Sequence, residues 1–217
     1  MAASLSLSVL SNAGVIFWDF DGVIKESLEI KGEAFAEVFA PFGADTAGRV
    51  REHHKANGGV SRYEKIPLYL SWAGVQPVGS LVESYCARFS AVAMERVIRS
   101  PWVPGVEAWL KNNPFNQHFF LLSATPHTEL LEIVRALDLD SSFLEIHGAP
   151  MGKADAIRSI IERYGYRPEE CLMIGDSKGD QLAAEKNSIT FLLRRHSLNE
   201  VAFRSYEGCS VADFSEG

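Results

Sequence analysis

Two carboxylates one residue apart, Asp19 and Asp21, close the apolar run Val15-Ile16-Phe17-Trp18 and are followed by Gly22. An apolar run of that length, bounded by turn residues, predicts a buried strand. In open α/β sheets the ligand site lies just beyond the carboxyl ends of the strands, so both side chains are expected at that edge. Carboxylates crowded there repel one another and call for a compensating cation. Mg²⁺ suits them, because it prefers oxygen ligands and retains several waters. The plain alternative is that the pair only caps a turn, as Asp commonly does. Three further segments, in a fixed order, weigh against it: Ser123-Ala124-Thr125, Lys153, and Gly175-Asp176-Ser177-Lys178-Gly179-Asp180. Lys153 falls in the first turn of a predicted helix, where the macrodipole disfavours a cation unless anions sit opposite.

The elements that must position these groups alternate. Strands are predicted over residues 118–122, 143–146, 171–174 and 189–193, with helices over 106–111, 153–164 and 182–186 between them. A further helix follows Ser123-Ala124-Thr125, with Thr125 as cap and Pro126 in its first position. Its buried stripe is Leu130, Leu131, Val134 and Leu137. In the 153–164 helix the inward positions are Ala154, Ile157, Ile160, Ile161 and Tyr164. This alternation predicts an α/β fold, a Rossmann-like parallel sheet with right-handed crossovers. Residues 28–100 differ in character and read as helices over 30–42, 47–55, about 61–72 and 78–97, with no strand. Ser61-Arg62-Tyr63-Glu64 has the form of a capping box, and Pro101 and Pro104-Gly105 mark the return. The expected organisation is a core of residues 1–27 and 101–217 with an all-helical insert at 28–100.

The totals set bounds. With 217 residues, 47% of them hydrophobic, the chain can build one sizeable domain or a core with a smaller insert. A net charge of -7 argues against a nucleic-acid binder, which needs a basic footprint. Cys86, Cys171 and Cys209 are widely spaced and odd in number, which predicts reduced thiols and a cytoplasmic protein. The six histidines show no metal-ligand spacing. His127 and His147, near strand ends, read as structural or rim residues. The first dozen residues lack a basic segment before their apolar ones, so no signal peptide is expected. No apolar run approaches a membrane span. No long exposed apolar stripe is evident, and the expected state is a monomer or a weak homodimer.

In their order, Asp19-Phe20-Asp21-Gly22, Ser123, Lys153 and Gly175-Asp176-Ser177-Lys178-Gly179-Asp180 resemble the four motifs of the haloacid dehalogenase-like (HAD) superfamily, over essentially residues 14 to 193. The first and fourth motifs are specific; the lone Ser and Lys carry weight by position. The resemblance implies a Mg²⁺-dependent phosphatase acting on a small phosphorylated metabolite, with a sugar phosphate expected. Asp19 would be the nucleophile and Asp21 the acid and base. Asp19, the Asp21 carbonyl and Asp176 would hold Mg²⁺, with Asp180 behind that shell. Ser123, the Ala124 amide and Lys153 would hold the phosphoryl oxygens. The helical insert sits where relatives of the β-phosphoglucomutase and phosphoglycolate phosphatase type carry a mobile cap. Gly58-Gly59-Val60-Ser61-Arg62-Tyr63-Glu64-Lys65 resembles the cap loop that enters their active sites, so Arg62 and Lys65 become candidates for substrate binding. Lys25, in the turn after the first motif, is another. Relatives often have Asp-Ser after the Asp-Gly turn, whereas this chain has Lys25-Glu26-Ser27. Dehalogenase chemistry is disfavoured because relatives performing it lack an Asp at the position of Asp21. A phosphomutase using the same aspartates and a non-catalytic metabolite-binding relative are the alternatives.

Overall fold

β1 (Val15–Trp18) runs through the middle of a parallel sheet in the computed structural model, which describes residues 8–215. Its neighbours are β2 (His118–Pro126) and β4 (Cys171–Gly175), in register Trp18 with Leu121 and Trp18 with Ile174. β3 (Glu145–Ala149) extends the sheet beyond β2; β5 (Thr190–Arg194) and β6 (Ser210–Val211) extend it beyond β4. Among the described residues all the strand pairs are parallel. This register brings the residues that follow β1 and β4, and the end of β2, to one edge.

Period-two alternation divides the strand side chains between two cores. Ile16, Trp18, Phe119, Leu121, Leu172 and Ile174 face one layer. That layer also holds Val106 and Leu110 of α5 (Val106–Asn112) and Leu130, Ile133 and Val134 of α6 (His127–Ala136). Val15, Phe17, Phe120, Leu122 and Met173 face the other, against Ile157 and Ile160 of α7 (Lys153–Tyr164) and Ala183 and Ala184 of α8 (Lys178–Lys186). Full burial of each large apolar side chain stabilises by roughly 1.5–3 kcal/mol. That explains why these strands are apolar on both faces.

Between β1 and α5 the chain is helical: α1 (Leu28–Phe39), α2 (Ala44–Ala56), α3 (Arg62–Trp72) and α4 (Gly79–Arg99). They enclose an aromatic core of their own, with Phe35, Phe39, Tyr69, Tyr85 and Phe89 buried. Phe35 and Phe89 stack with ring centroids 3.8 Å apart. The outgoing and returning chain lie side by side through the Lys25–Trp102 bridge.

Several local expectations are corrected. Thr125 does not cap α6; β2 continues through Pro126, and the helix begins at His127 with Pro126 as its N-cap. β3 starts two residues late, because Phe143 packs into the core from the 3-10 turn Asp140–Ser142. Tyr164 is exposed, its hydroxyl donating to Glu145 at 2.8 Å. Ser61 accepts only from the Tyr63 amide, at 3.4 Å, and the capping box forms instead at Ser177 and Asp180. β6 has no counterpart in the sequence reading. The three cysteines are free, two of them buried. Among the described residues no helix is long and apolar enough to cross a membrane. The first seven residues of the Ser- and Leu-rich start lie outside the described range.

Candidate active site

Asp19 leaves β1 at the sheet edge and is buried. Its Oδ1 accepts from the Phe20 amide at 2.7 Å and from Lys153 Nζ at 2.6 Å. Lys153, from the start of α7, also donates to Asp180 Oδ1 at 2.5 Å. Asp180 Oδ2 accepts from the Ser177 amide at 3.1 Å and from the Ser177 hydroxyl at 2.7 Å. The helix-start lysine thus finds the anions that its position demands. Burial would depress Lys153, but Asp180 and Asp19 outweigh it and raise its pKa. Burial, with Asp180 and Asp176 nearby, pushes Asp19 well above the usual carboxylate range.

Asp176 follows β4. Burial and Asp180 push it well up too. Its Oδ2 accepts from His196 Nε2 at 2.9 Å, and His196 Nδ1 accepts from the Leu198 amide at 3.2 Å. The amide bond leaves the ring proton on Nε2, facing Asp176. Asn199 Nδ2 donates to the Asp176 and Arg194 carbonyl oxygens at 2.9 and 2.8 Å, fixing this loop.

Carboxylate oxygens of Asp19, Asp176 and Asp180 lie within 4.8 Å of one another. An all-oxygen donor set, with the Asp19 and Asp176 carboxyls held well above the ordinary range, fits a hard divalent cation such as Mg²⁺. Both Asp180 oxygens are engaged by Lys153 and Ser177, so Asp19 and Asp176 are the carboxylates left to hold it. Gly22 makes this approach feasible. Its φ is 76°, and a Cβ there would lie 2.4 Å from Asp176 Oδ2. Gly22→Ala is therefore expected to destabilise the fold by about 1–3 kcal/mol and to slow turnover by roughly a hundredfold through displacement of Asp176. Thermal melts and steady-state rates check this; wild-type values for both contradict it.

Asp21 is turned toward the helical segment. Oδ1 accepts from Ser27 Oγ at 2.6 Å and Oδ2 from Lys31 Nζ at 2.5 Å. Lys31 also donates to Thr125 Oγ1 at 2.9 Å. Burial alone would raise the Asp21 pKa, but Lys31 and Ser27 outweigh it and hold the carboxyl below its ordinary value. Ser123 is buried, its hydroxyl accepting from the Thr125 amide at 3.1 Å. Ala124 lines a space of about 10 Å³ with Asp19, Asp21, Lys153 and Asp176, roofed by Gly58 and Gly59. That is room for roughly one water-sized group. A Cβ on Gly59 would come within 2.5 Å of Ser177 Oγ, so only glycine seats this closely. A cleft of about 710 Å³, lined by Lys153, Ser123, Tyr63 and Glu64 among others, opens beside it.

Of the three predicted substrate cations, Arg62 and Lys65 line the small space beside Asp21, Arg62 with an internal partner, and Lys25 does not. Arg62 is buried in a bidentate pair with Glu129 of α6, both bonds 2.7 Å. Lys25 is also buried, but it points away: Nζ donates to the Ile98 carbonyl at 3.1 Å and lies over the Trp102 ring. Lys65 does face the region beside Asp21.

Sequence reasoning missed Lys31, Thr125, Glu129 and His196. Lys31 carried a signal: with Leu28, Phe35 and Val38 it occupies the buried stripe of α1. A charge in such a stripe implies a buried partner. His196 follows a strand end, as Asp19 and Asp176 do.

A doubly covered parallel sheet whose central strands end in a lysine-bridged carboxylate cluster defines an α/β enzyme with its site at the strand carboxyl ends. The haloacid dehalogenase-like hydrolase family model matches residues 14–187. A haloacid dehalogenase-like hydrolase structure from Bacteroides fragilis, described as putative, aligns with TM-score 0.71 at 19% identity, covering 91% of this chain and 95% of that one. A variant of CbbY from Rhodobacter sphaeroides in complex with xylulose-(1,5)bisphosphate aligns with TM-score 0.73 at 15% identity, covering 94% and 96%. A predicted phosphoglycolate phosphatase from Haemophilus somnus gives TM-score 0.63 at 15% identity, covering 84% and 85%. At these identities the likeness is one of fold. No curated protein matches the sequence. The chain belongs to the haloacid dehalogenase-like hydrolases, and it is an enzyme of that family.

Proposed function

We propose that the chain is a Mg²⁺-dependent phosphatase hydrolysing a small phosphomonoester through an aspartyl-phosphate on Asp19. The observation that supports this most is the Asp19–Lys153–Asp180 linkage beside Asp176: a buried carboxylate oriented by a lysine whose charge is secured from behind. When bound, Mg²⁺ supplies charge neutralisation for the phosphoryl oxygens. Asp19, Asp176 and the Asp21 carbonyl would hold it, with Asp180 behind them.

Asp19 attacks phosphorus and the ester P–O bond breaks, while Asp21 delivers its proton to the departing alkoxide. Water then attacks the aspartyl-phosphate, Asp21 takes its proton, and phosphate leaves with Asp19 restored. Ser123, the Ala124 amide and Lys153 hold the phosphoryl oxygens as charge shifts among them. Bound to Lys31, Asp21 stands in its ionised form, the one the second half-reaction needs; the first half-reaction begins once Asp21 has taken up a proton, and the proton taken from water in the second restores it. Residues 28–100 act as the cap over a core of 1–27 and 101–217, closing through Gly58 and Gly59 to exclude water. In this reading the protein works in the cytoplasm as a monomer or weak homodimer, without nucleic acid or membrane as partner.

A chelator is expected to stop phosphate release from a panel of sugar phosphates and other small phosphomonoesters, and added Mg²⁺ to restore it. Release that persists in chelator contradicts the metal assignment. Isomer interconversion with little phosphate release contradicts the phosphatase reading and favours a phosphomutase.

A further inference from the structure

On the far side of Asp21 from Asp19 lies a second cavity, of about 20 Å³, bounded by Asp21, Lys31, Phe35, His54, Arg62 and Lys65. Three buried cations meet there, which is costly unless each is paired. Two are paired: Lys31 with Asp21 at 2.5 Å, and Arg62 with Glu129 at 2.7 Å. Lys65, only 2% exposed, has no carboxylate partner within ion-pair distance among the described residues. Its Nζ meets His54 Nδ1 at 3.1 Å and the Gly58 carbonyl at 3.5 Å. Burial, then Lys31, brings its pKa down to about 7, and burial, then Lys65, holds His54 well below its ordinary value. Neutral His54 accepts from Lys65 and supplies no charge. With Lys65 protonated, the cavity holds three cations against two carboxylates, Asp21 and Glu129, and an arriving anion would complete the balance. At about 20 Å³ it takes one or two water-sized groups, the size of a carboxylate.

We infer that Lys65, rather than Arg62, is the cation that selects the substrate, and that it receives a single carboxylate carried by the alcohol part of the ester. The substrate class is then a phosphorylated hydroxy acid or sugar acid. This rests on the phosphatase reading above. Asp21 separates the cavity from Asp19, so a group lodged there belongs to the leaving-group side. The cost of burying Lys65 unpaired is recovered when the substrate's anion arrives, which makes it a device for affinity rather than for stability.

The test compares two esters on one carbon skeleton, 3-phosphoglycerate and glycerol 3-phosphate, for wild type, Lys65→Met and Lys65→Gln. Wild type is expected to favour the carboxylate by about tenfold or more in kcat/KM, the scale of one charge-assisted contact. In both variants the ratio is expected to collapse toward one, while the melting temperature holds or rises. A wild-type ratio near one, or a ratio that survives both substitutions, overturns the inference and leaves the phosphatase reading standing. So does a preference for 2,3-bisphosphoglycerate over 3-phosphoglycerate, which would assign the cavity to a second phosphate. If wild type with Mg²⁺ releases phosphate from none of the three esters nor from a wider phosphomonoester panel, the phosphatase reading falls and this inference with it.

Discussion

Asp19→Asn is expected to abolish turnover, lowering kcat on the order of 10⁴-fold or more, because no other group in the site replaces the carboxylate proposed to attack phosphorus. The substitution keeps the local hydrogen bonds. An amide oxygen still accepts from the Phe20 amide and Lys153, which meet Asp19 Oδ1 at 2.7 and 2.6 Å. The fold should persist, and metal-free stability should not fall at neutral pH. Burial and Asp180 raise Asp19 above its ordinary 3.8. A carboxyl with a raised folded pKa favours the native state below that ordinary value and loses the advantage as pH rises through the shifted one. Removing the charge removes that loss. The measurement pairs phosphate release with thermal melts at acid and neutral pH, in protein shown by mass to be free of deamidated Asp19. Turnover near wild type overturns the nucleophile assignment.

Lys153→Met is expected to cost both rate and stability. In the proposed mechanism it removes a contact to the phosphoryl group, and kcat should fall by roughly a hundredfold or more. It also strands Asp19, Asp176 and Asp180 without their common cation. Removing one partner of a buried ion pair typically destabilises by about 3–5 kcal/mol. Lys153 has a raised folded pKa, so its stabilisation is fully present below its ordinary 10.5 and fades as pH rises through the shifted value. In the variant the stranded carboxylates escape repulsion by taking up protons. The stability deficit should therefore be smaller at pH 5 than at pH 8. A deficit independent of pH, with kcat unchanged, contradicts the placement of Lys153 at the centre of the cluster.

The parts legible in the sequence are those whose signal is local. Val15–Trp18 announced β1, and the polar break after it announced Asp19. Cys171–Ile174 before Asp176 did the same, and Lys153 was exposed by standing at the wrong end of a helix for a cation. What stayed hidden depends on separation along the chain. Glu129 meets Arg62 across 67 residues, and Thr125 meets Asp21 across 104. Nothing in either local stretch encodes the other. Arg62 illustrates the cost: its position at a helix start correctly implied an anion opposite, but that anion is Glu129 of the same protein. Tyr164 fell on the apolar period of α7 yet stands in solvent, because a tyrosine at a helix end can satisfy its hydroxyl with Glu145. β6, two residues long, pairs only through its neighbour.

The contacts that Lys31 and Arg62 make bear on how this chain can be recombined. Both are carried by the helical segment, and both are satisfied by groups outside it: Lys31 by Asp21 and Thr125, Arg62 by Glu129. The segment is therefore not a detachable module. A chimera that grafts residues 28–100 from a relative onto this scaffold leaves the Glu129 carboxylate buried without its counterion and Thr125 without its donor, unless the donor chain repeats both basic residues. Compatible grafts are those exchanged together with positions 125 and 129, and a shuffling library built on this protein should place its second crossover beyond residue 129 rather than near residue 101.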